Sequence, residues 1–303
     1  MSINQFITRI EKVERIAKYS KFRRMLENPL KYMKAIVFRE LIYKLTQKKI
    51  EVKADTFFND QMYVALPAGT EIYLTGGKSH DAEIRLVKFL INYLKSGQTF
   101  VDIGAHFGYF TLLASKLVSD SGKVLAFEPS KSSFDLLRKN SKRRKNISIH
   151  NKAISLTNGT IEFNEFSNLY SEYSSINAEQ FINESWYKYN PPKKTEIESI
   201  RLDDFLAHHS IRPDMIKIDV EGAEYDVIRG LVKFPDFNKV ILVMEYLCEE
   251  RGNRIHQKAC ILLRDLGFAT HVINSDGGID LCPDIEKYLK KAQLETDNIV
   301  FVH

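Results

Sequence analysis

From Thr99 onward, short apolar runs alternate with helical patterns, an arrangement that few folds accept. The runs span 99–103, 124–127, 147–150, 215–220, 240–245, 268–273 and 299–302, and helical periodicity fills 110–117, 132–142, 223–231 and 255–266. Such alternation implies βαβ units and a mainly parallel sheet covered on both faces. The expected body is a doubly wound α/β domain, with ligands at the carboxyl ends of its strands. No internal repeat of solenoid length is present.

The most informative junction is Phe100-Val101-Asp102-Ile103-Gly104-Ala105-His106-Phe107-Gly108-Tyr109-Phe110-Thr111-Leu112. A hydrophobic strand ends in an acid, and Gly104, Ala105 and Gly108 then lead into a helix. Glycines let backbone approach a ligand closely, and a helix start offers N–H groups to a carboxylate or phosphate. Glu128, followed by Pro129, ends the next strand 20 residues after Gly108, where an acid can accept hydrogen bonds from both ribose hydroxyls of a nucleotide. The order is Gly-x-x-x-Gly, not the Gly-x-Gly-x-x-Gly that admits a pyrophosphate. A phosphate-free cofactor with an amino acid moiety suits it better, because Asp102 can attract an ammonium and the turn's N–H groups a carboxylate. S-adenosylmethionine has those groups.

A second motif is Asp214-Met215-Ile216-Lys217-Ile218-Asp219-Val220-Glu221-Gly222-Ala223-Glu224-Tyr225. Lys217 and Asp219 alternate with apolar residues in what should be a central strand, where charge is costly unless paired and tends to mark a site. The alternative for Asp219 and Glu221 is an acidic cap on the helix beginning near Ala223. Glu245 ends the next strand and projects toward the same crevice, unless it forms only an edge salt bridge.

These motifs together resemble the FkbM-type S-adenosylmethionine-dependent methyltransferases. The resemblance rests on the run from Val101 to Leu112, on Phe127-Glu128-Pro129, on Leu202-Asp203-Asp204-Phe205-Leu206, on the run from Ile216 to Glu224, and on Asp297-Asn298-Ile299-Val300-Phe301. It implies a class I methyltransferase (Rossmann-like) fold, S-adenosylmethionine as methyl donor, and transfer usually to oxygen, often on sugars or natural products. His106 stands where the family pattern generally has Asn. On this reading Asp102, Gly104, Ala105, His106, Gly108, Thr111, Glu128, Pro129 and Asp219 hold the cofactor, with Ala153 and Ile154 lining the adenine and Glu83 reaching it from a pre-sheet helix. The catalytic base for a sugar or glycan hydroxyl, or a related metabolite, is sought first in Glu221, then in Asp219, His106 and Glu245. Lys217 can hold the neighbouring carboxylates or lower their pKa. No metal site is assigned, although Asp219, Glu221 and Glu245 are oxygen ligands of the right kind for one. Two alternatives stand beside this reading: a non-catalytic S-adenosylmethionine- or nucleotide-binding scaffold in a glycan-synthesis complex, and a nicotinamide oxidoreductase. The missing pyrophosphate fingerprint argues against the latter.

The 303 residues divide, on the sequence, into a basic helical region at 1–55 and a methyltransferase domain at 56–303. Residues 1–60 carry 14 Lys and Arg against 7 Asp and Glu, which leaves the rest of the chain near neutrality. Leu30, Met33, Val37, Leu41 and Leu45 recur at helical spacing, with Asn28 and Pro29 as a helix start. That apolar stripe needs a cover, which is expected to be the body of the protein, with a membrane or a synthase complex as the alternative. Residues 56–75 read as a hairpin turning at Pro67-Ala68-Gly69. The aromatic stretch 164–195 reads as an insertion over the sheet's edge or mouth, and Phe166 to Tyr189 within it as the candidate substrate lid, with a peripheral flap of satisfied aromatics as the alternative. No run is long enough to span a bilayer, and charges in the first twenty residues leave no room for a secretory signal, so a cytoplasmic location is expected. The three cysteines fit neither a disulfide framework nor a zinc knuckle and are expected to be buried. The basic run 138–145 reads as a solvated helix end, so no nucleic-acid partner is expected. The sequons at Asn146, Asn158 and Asn183 carry little weight in such a chain.

Overall fold

A computed structural model describes residues 2–182 and 184–303; the sequon residue Asn183 lies outside the described residues. The chain opens with helices α1 (Ile3–Ala17), α2 (Lys21–Glu27), α3 (Pro29–Val37) and α4 (Lys44–Thr46). A π-helical segment, Phe38–Tyr43, joins α3 to α4 without a break. Ser2 caps α1 in a capping box with Gln5, and Asn28 accepts the Lys31 N–H at the start of α3, with Pro29 in the first turn. Phe6, Ile10 and Val13 bury α1 against the body.

The expected cover of the second stripe is corrected. The helix from 29 to 46 rests on the body through Ala35, Phe38 and Tyr43, and Leu30, Met33, Leu41 and Leu45 face outward. The expected hairpin is also displaced. Strands β1 (Ile50–Asp55) and β2 (Gln61–Leu66) pair antiparallel around a turn at 56–60, where the Thr56 N–H donates to the Asp60 carbonyl (2.8 Å). Residues 71–75 are helical, within α5 (Thr70–Thr75). Their β-rich composition is overridden because the 67–69 turn starts a helix whose Ile72 and Tyr73 enter the core, and Gly76 stops it at φ +82.

Helix α6 (Asp81–Tyr93) leads into the eight-stranded sheet. Its strands are β3 (Thr99–Ile103), β4 (Lys123–Phe127), β5 (Ile147–His150), β9 (Met215–Ile218), β10 (Ile241–Leu247), β11 (Ala269–Ile273), β12 (Ile279–Leu281) and β13 (Thr296–Val302), in the spatial order 12-11-13-10-9-3-4-5. Strands 10, 9, 3, 4 and 5 pair parallel, and β13 enters antiparallel between β10 and β11. The order reverses between β3 and β9, the switch point at which such sheets bind ligands. A smaller sheet holds β6 (Ala153–Ile154), β8 (Lys193–Ile200) and β7 (Gly159–Glu165), in that order.

Helices α7 (Tyr109–Val118), α8 (Lys131–Ser141), α1 and α6 cover one face of the main sheet. Helices α9 (Leu202–His208), α10 (Glu224–Arg229), α11 (Arg254–Asp265) and α12 (Ile285–Ala292) cover the other. Period-two alternation divides each strand between these cores. Phe100, Met215 and Val243 face the first, whereas Val101, Ile103, Ile216, Ile218, Leu242 and Met244 face the second. Cys248, Cys260 and Cys282 are free and buried. No helix among the described residues is long and apolar enough to cross a membrane.

Candidate active site

The same alternation that fills the first core carries charge toward the strand ends. Asp102 lies two residues beyond Phe100, Lys217 two beyond Met215, and Glu245 two beyond Val243, so all three emerge on one face. Asp102 and Lys217 are direct partners in the β3–β9 register. The Lys217 ammonium lies 2.9 Å from an Asp219 oxygen and 3.7 Å from Asp102, and is itself buried. Burial works against its charge, but the two carboxylates outweigh burial and raise its pKa. Asp102 accepts from the Thr111 hydroxyl (2.6 Å) through one oxygen, and its other oxygen is buried without a hydrogen-bond partner. Burial raises the Asp102 pKa despite Lys217.

In front of this pair opens a cavity of about 430 Å³, within the range of roughly 300–1,000 Å³ common for small-molecule sites. Glu83, Gly104, Ala105, His106, Glu128, Pro129, Ala153, Ile154, Lys217, Asp219, Glu221 and Glu245 all line it. Asp102, Gly108 and Thr111 are not among the lining residues; Asp102 is buried against Lys217 and Thr111. The turn's donors are also otherwise engaged. The N–H groups of Gly104 and Ala105 both donate to the Phe127 carbonyl (3.0 Å each), and that of His106 to a Glu128 oxygen (2.7 Å), because the turn folds back onto the end of β4. They are therefore not free for a ligand carboxylate.

Glu128 accepts from His106 N–H and, at 2.9 Å, from Ser130 N–H, which fixes its carboxylate at the strand tip and uses two of about four acceptor positions. Burial lifts its pKa to about 7 against those donors. Burial likewise pushes His106 down to about 4, so its ring is neutral at physiological pH; Nε2 lies 3.0 Å from the Ser171 hydroxyl. At the far wall, Asp219, Glu221 and Glu245 offer oxygens all within 4.8 Å of one another, a group close enough to hold a metal ion. Burial tends to raise Asp219, but Lys217 and Lys78 hold it below its ordinary value. Glu221, at φ +55, is driven well up by burial and then by Glu245 and Asp219. Glu245, which accepts from Thr296 (2.8 Å), is pushed up to about 8 by burial and Asp219.

The insertion supplies part of the cavity's wall. Residues 166–192 connect β7 to β8, and Ser171, Glu172, Tyr173 and Phe181 face the cavity. Tyr170 and Trp186 stack at 4.2 Å behind them. Several lining groups were not anticipated from the sequence: Lys78, Glu71, Glu172 and Arg251. Lys78 pairs with Glu83 and lies 3.4 Å from Glu172, and Arg251 lies 3.1 Å from Glu184. Both salt bridges tie the insertion to the body. Burial opposes the charge of Lys78, but Glu172 and Glu83 outweigh it and raise its pKa well above normal.

The donor set suits S-adenosylmethionine. An acid with spare acceptor capacity stands at the β4 tip, and it shares the cavity lining with apolar Phe127, Ala153 and Ile154 and with the charged Lys78, Glu83 and Asp219. Removing the buried cation tests the frame. Lys217→Met is expected to cost about 3 kcal/mol in urea unfolding at neutral pH, because it strands two carboxylates. Asp102 then binds its proton more tightly in the folded than in the unfolded state, so the loss shrinks as pH falls, and adding Asp102→Asn recovers part of it.

Residues 102–270 match the family model for the methyltransferase FkbM domain. The chain is 28% identical over 202 residues to "Methyltransferase 1" of Beauveria bassiana, covering 62% of this chain and 78% of that protein. It is 28% identical over 201 residues to methyltransferase sdnD of Sordaria araneosa, covering 58% and 75% respectively. It is also 26% identical over 148 residues to the hexuronic acid methyltransferase AglP of Haloferax volcanii, covering 48% and 55%.

Proposed function

Because this chain belongs to the methyltransferase FkbM domain family and is an S-adenosylmethionine-dependent methyltransferase, we propose that it methylates a hydroxyl oxygen of a sugar or glycan, with Glu221 as general base. The carrying observation is the convergence of Asp219, Glu221 and Glu245 on one wall of the cavity, with Glu221 and Glu245 lifted above the usual carboxylate range. A hydroxyl is a weak nucleophile at neutral pH, so a base must take its proton as the new bond forms, and a carboxylate with raised proton affinity does this better than an ordinary one. S-adenosylmethionine supplies, when bound, a methyl group already activated on a sulfonium.

The chain's own work is then binding, alignment and exclusion of water. Glu128 would hold the ribose diol, Ala153 and Ile154 would flank the base, and Glu83 with Asp219 would meet the ammonium. Asp102 acts on Lys217 and Thr111 and so positions Asp219. Tyr173 and Phe181 offer aromatic surface in the cavity lining, on which a sugar ring can lie. The name of the Haloferax relative concerns a sugar acid, which supports a glycan-class acceptor.

The test incubates the protein with methyl-labelled donor and separate fractions of nucleotide-sugars, lipid-linked glycans and small metabolites. Label is expected in a sugar-containing fraction, as an alkali-stable methyl ether. Label released by mild alkali as an ester, or found on an amine, overturns the proposal.

A further inference from the structure

The helix running from 29 to 46 leaves an apolar stripe that the protein does not cover. Leu30 is 81% exposed, Leu41 60% and Leu45 86%, and Met33 and Val37 lie between them at three- and four-residue spacing. Within α3 the division is sharp: Leu30, Met33, Ile36 and Val37 face out, while Ala35, on the opposite side, is buried. Phe22 and Leu26 of α2 add two more large exposed side chains. Apolar surface gathered in this way on one segment marks an interaction site, unlike isolated exposed leucines.

Charge selects the occupant. Exposed Lys21, Arg23, Lys34, Arg39 and Lys44 outnumber the exposed acids Glu27 and Glu40 on the two helices, with Arg39 and Lys44 both paired to Glu40, so the segment that carries the stripe is net positive. A second copy meeting this face symmetrically would bring the same cations against each other. An anionic bilayer offers both an apolar interior and negative headgroups, the combination that basic amphipathic helices recognise. The inner side of the same helix touches the insertion that helps line the cavity: the Tyr43 hydroxyl accepts the Leu169 N–H (3.1 Å), two residues before the cavity-lining Ser171.

We infer that residues 22–45 dock the protein on an anionic membrane surface. This inference does not depend on which acceptor is methylated. The test sediments the full chain with vesicles of phosphatidylcholine containing about 30 mol% phosphatidylglycerol, and with phosphatidylcholine alone. Binding is expected only with the anionic vesicles and is expected to weaken with salt. Leu41→Asp with Leu45→Asp should abolish it. Lys34→Glu with Arg39→Glu should weaken it by at least about tenfold, since each basic side chain near such a surface contributes about fivefold. Thermal unfolding and cofactor binding should be unchanged, because these side chains are exposed. Failure to sediment with either vesicle, or binding that survives the aspartate variant, overturns the inference. So does a concentration-dependent dimer that the aspartate variant dissolves while vesicle binding persists.

Discussion

Glu221→Gln is expected to lower the rate of methyl transfer by about 10²- to 10⁴-fold while leaving cofactor affinity within a few-fold of the native protein, the pattern of a lost general base. Gln keeps the shape and the dipole and removes only the proton acceptor. The pH profile sharpens the test. A base works deprotonated, and burial with neighbouring charge raises the Glu221 pKa, so the native rate should climb with pH through a midpoint above the ordinary carboxylate range. In Glu221→Gln that limb should vanish. Isothermal titration with the cofactor and initial rates between about pH 6 and pH 9 provide the readouts. A variant that retains the native rate and limb removes Glu221 from the chemistry.

Gly104→Ala is expected to lower stability by about 4 kcal/mol and the unfolding midpoint by roughly 10 °C. Two costs combine. Gly104 sits at φ +80, and a Cβ built on it would stand 1.7 Å from the Asp219 carbonyl oxygen, a backbone atom with no rotamer to escape through. Gly252 separates the two costs. It has φ +78 and nothing within 4 Å, so Gly252→Ala should show only the conformational penalty of about 1 kcal/mol. Calorimetric scans of both variants measure the difference. Equal midpoints would mean that β3 and the 219–222 turn can move apart at little cost.

What the sequence revealed follows from how local each signal is. The sheet strands and their helices were legible because period-two and period-3.6 patterns survive in 99–142 and 215–266, and the acids at strand ends inherit their direction from the same alternation. Direction alone did not say which acid lines the cavity. Asp102 and Glu128 both end strands, yet Asp102 is drawn aside by Thr111 and Lys217, contacts set by neighbours 9 and 115 residues away. Lys78 was invisible for the opposite reason. It sits in the polar loop Gly76-Gly77-Lys78-Ser79-His80, which has no periodicity, and only the folded chain brings that loop to the insertion. Residues 71–75 misled because their composition favours a strand while the preceding turn dictates a helix.

Glu165 and Lys193 face each other across antiparallel β7 and β8, so the chain departs for residues 166–192 and returns at almost one point. Length and chemistry within that excursion can drift without altering the register of any strand in the central sheet. Exchanging that one segment would change the cavity lining at Ser171, Glu172, Tyr173 and Phe181, together with the contacts of Ser171 to His106 and of Glu172 to Lys78, while the strands of the central sheet stay in register.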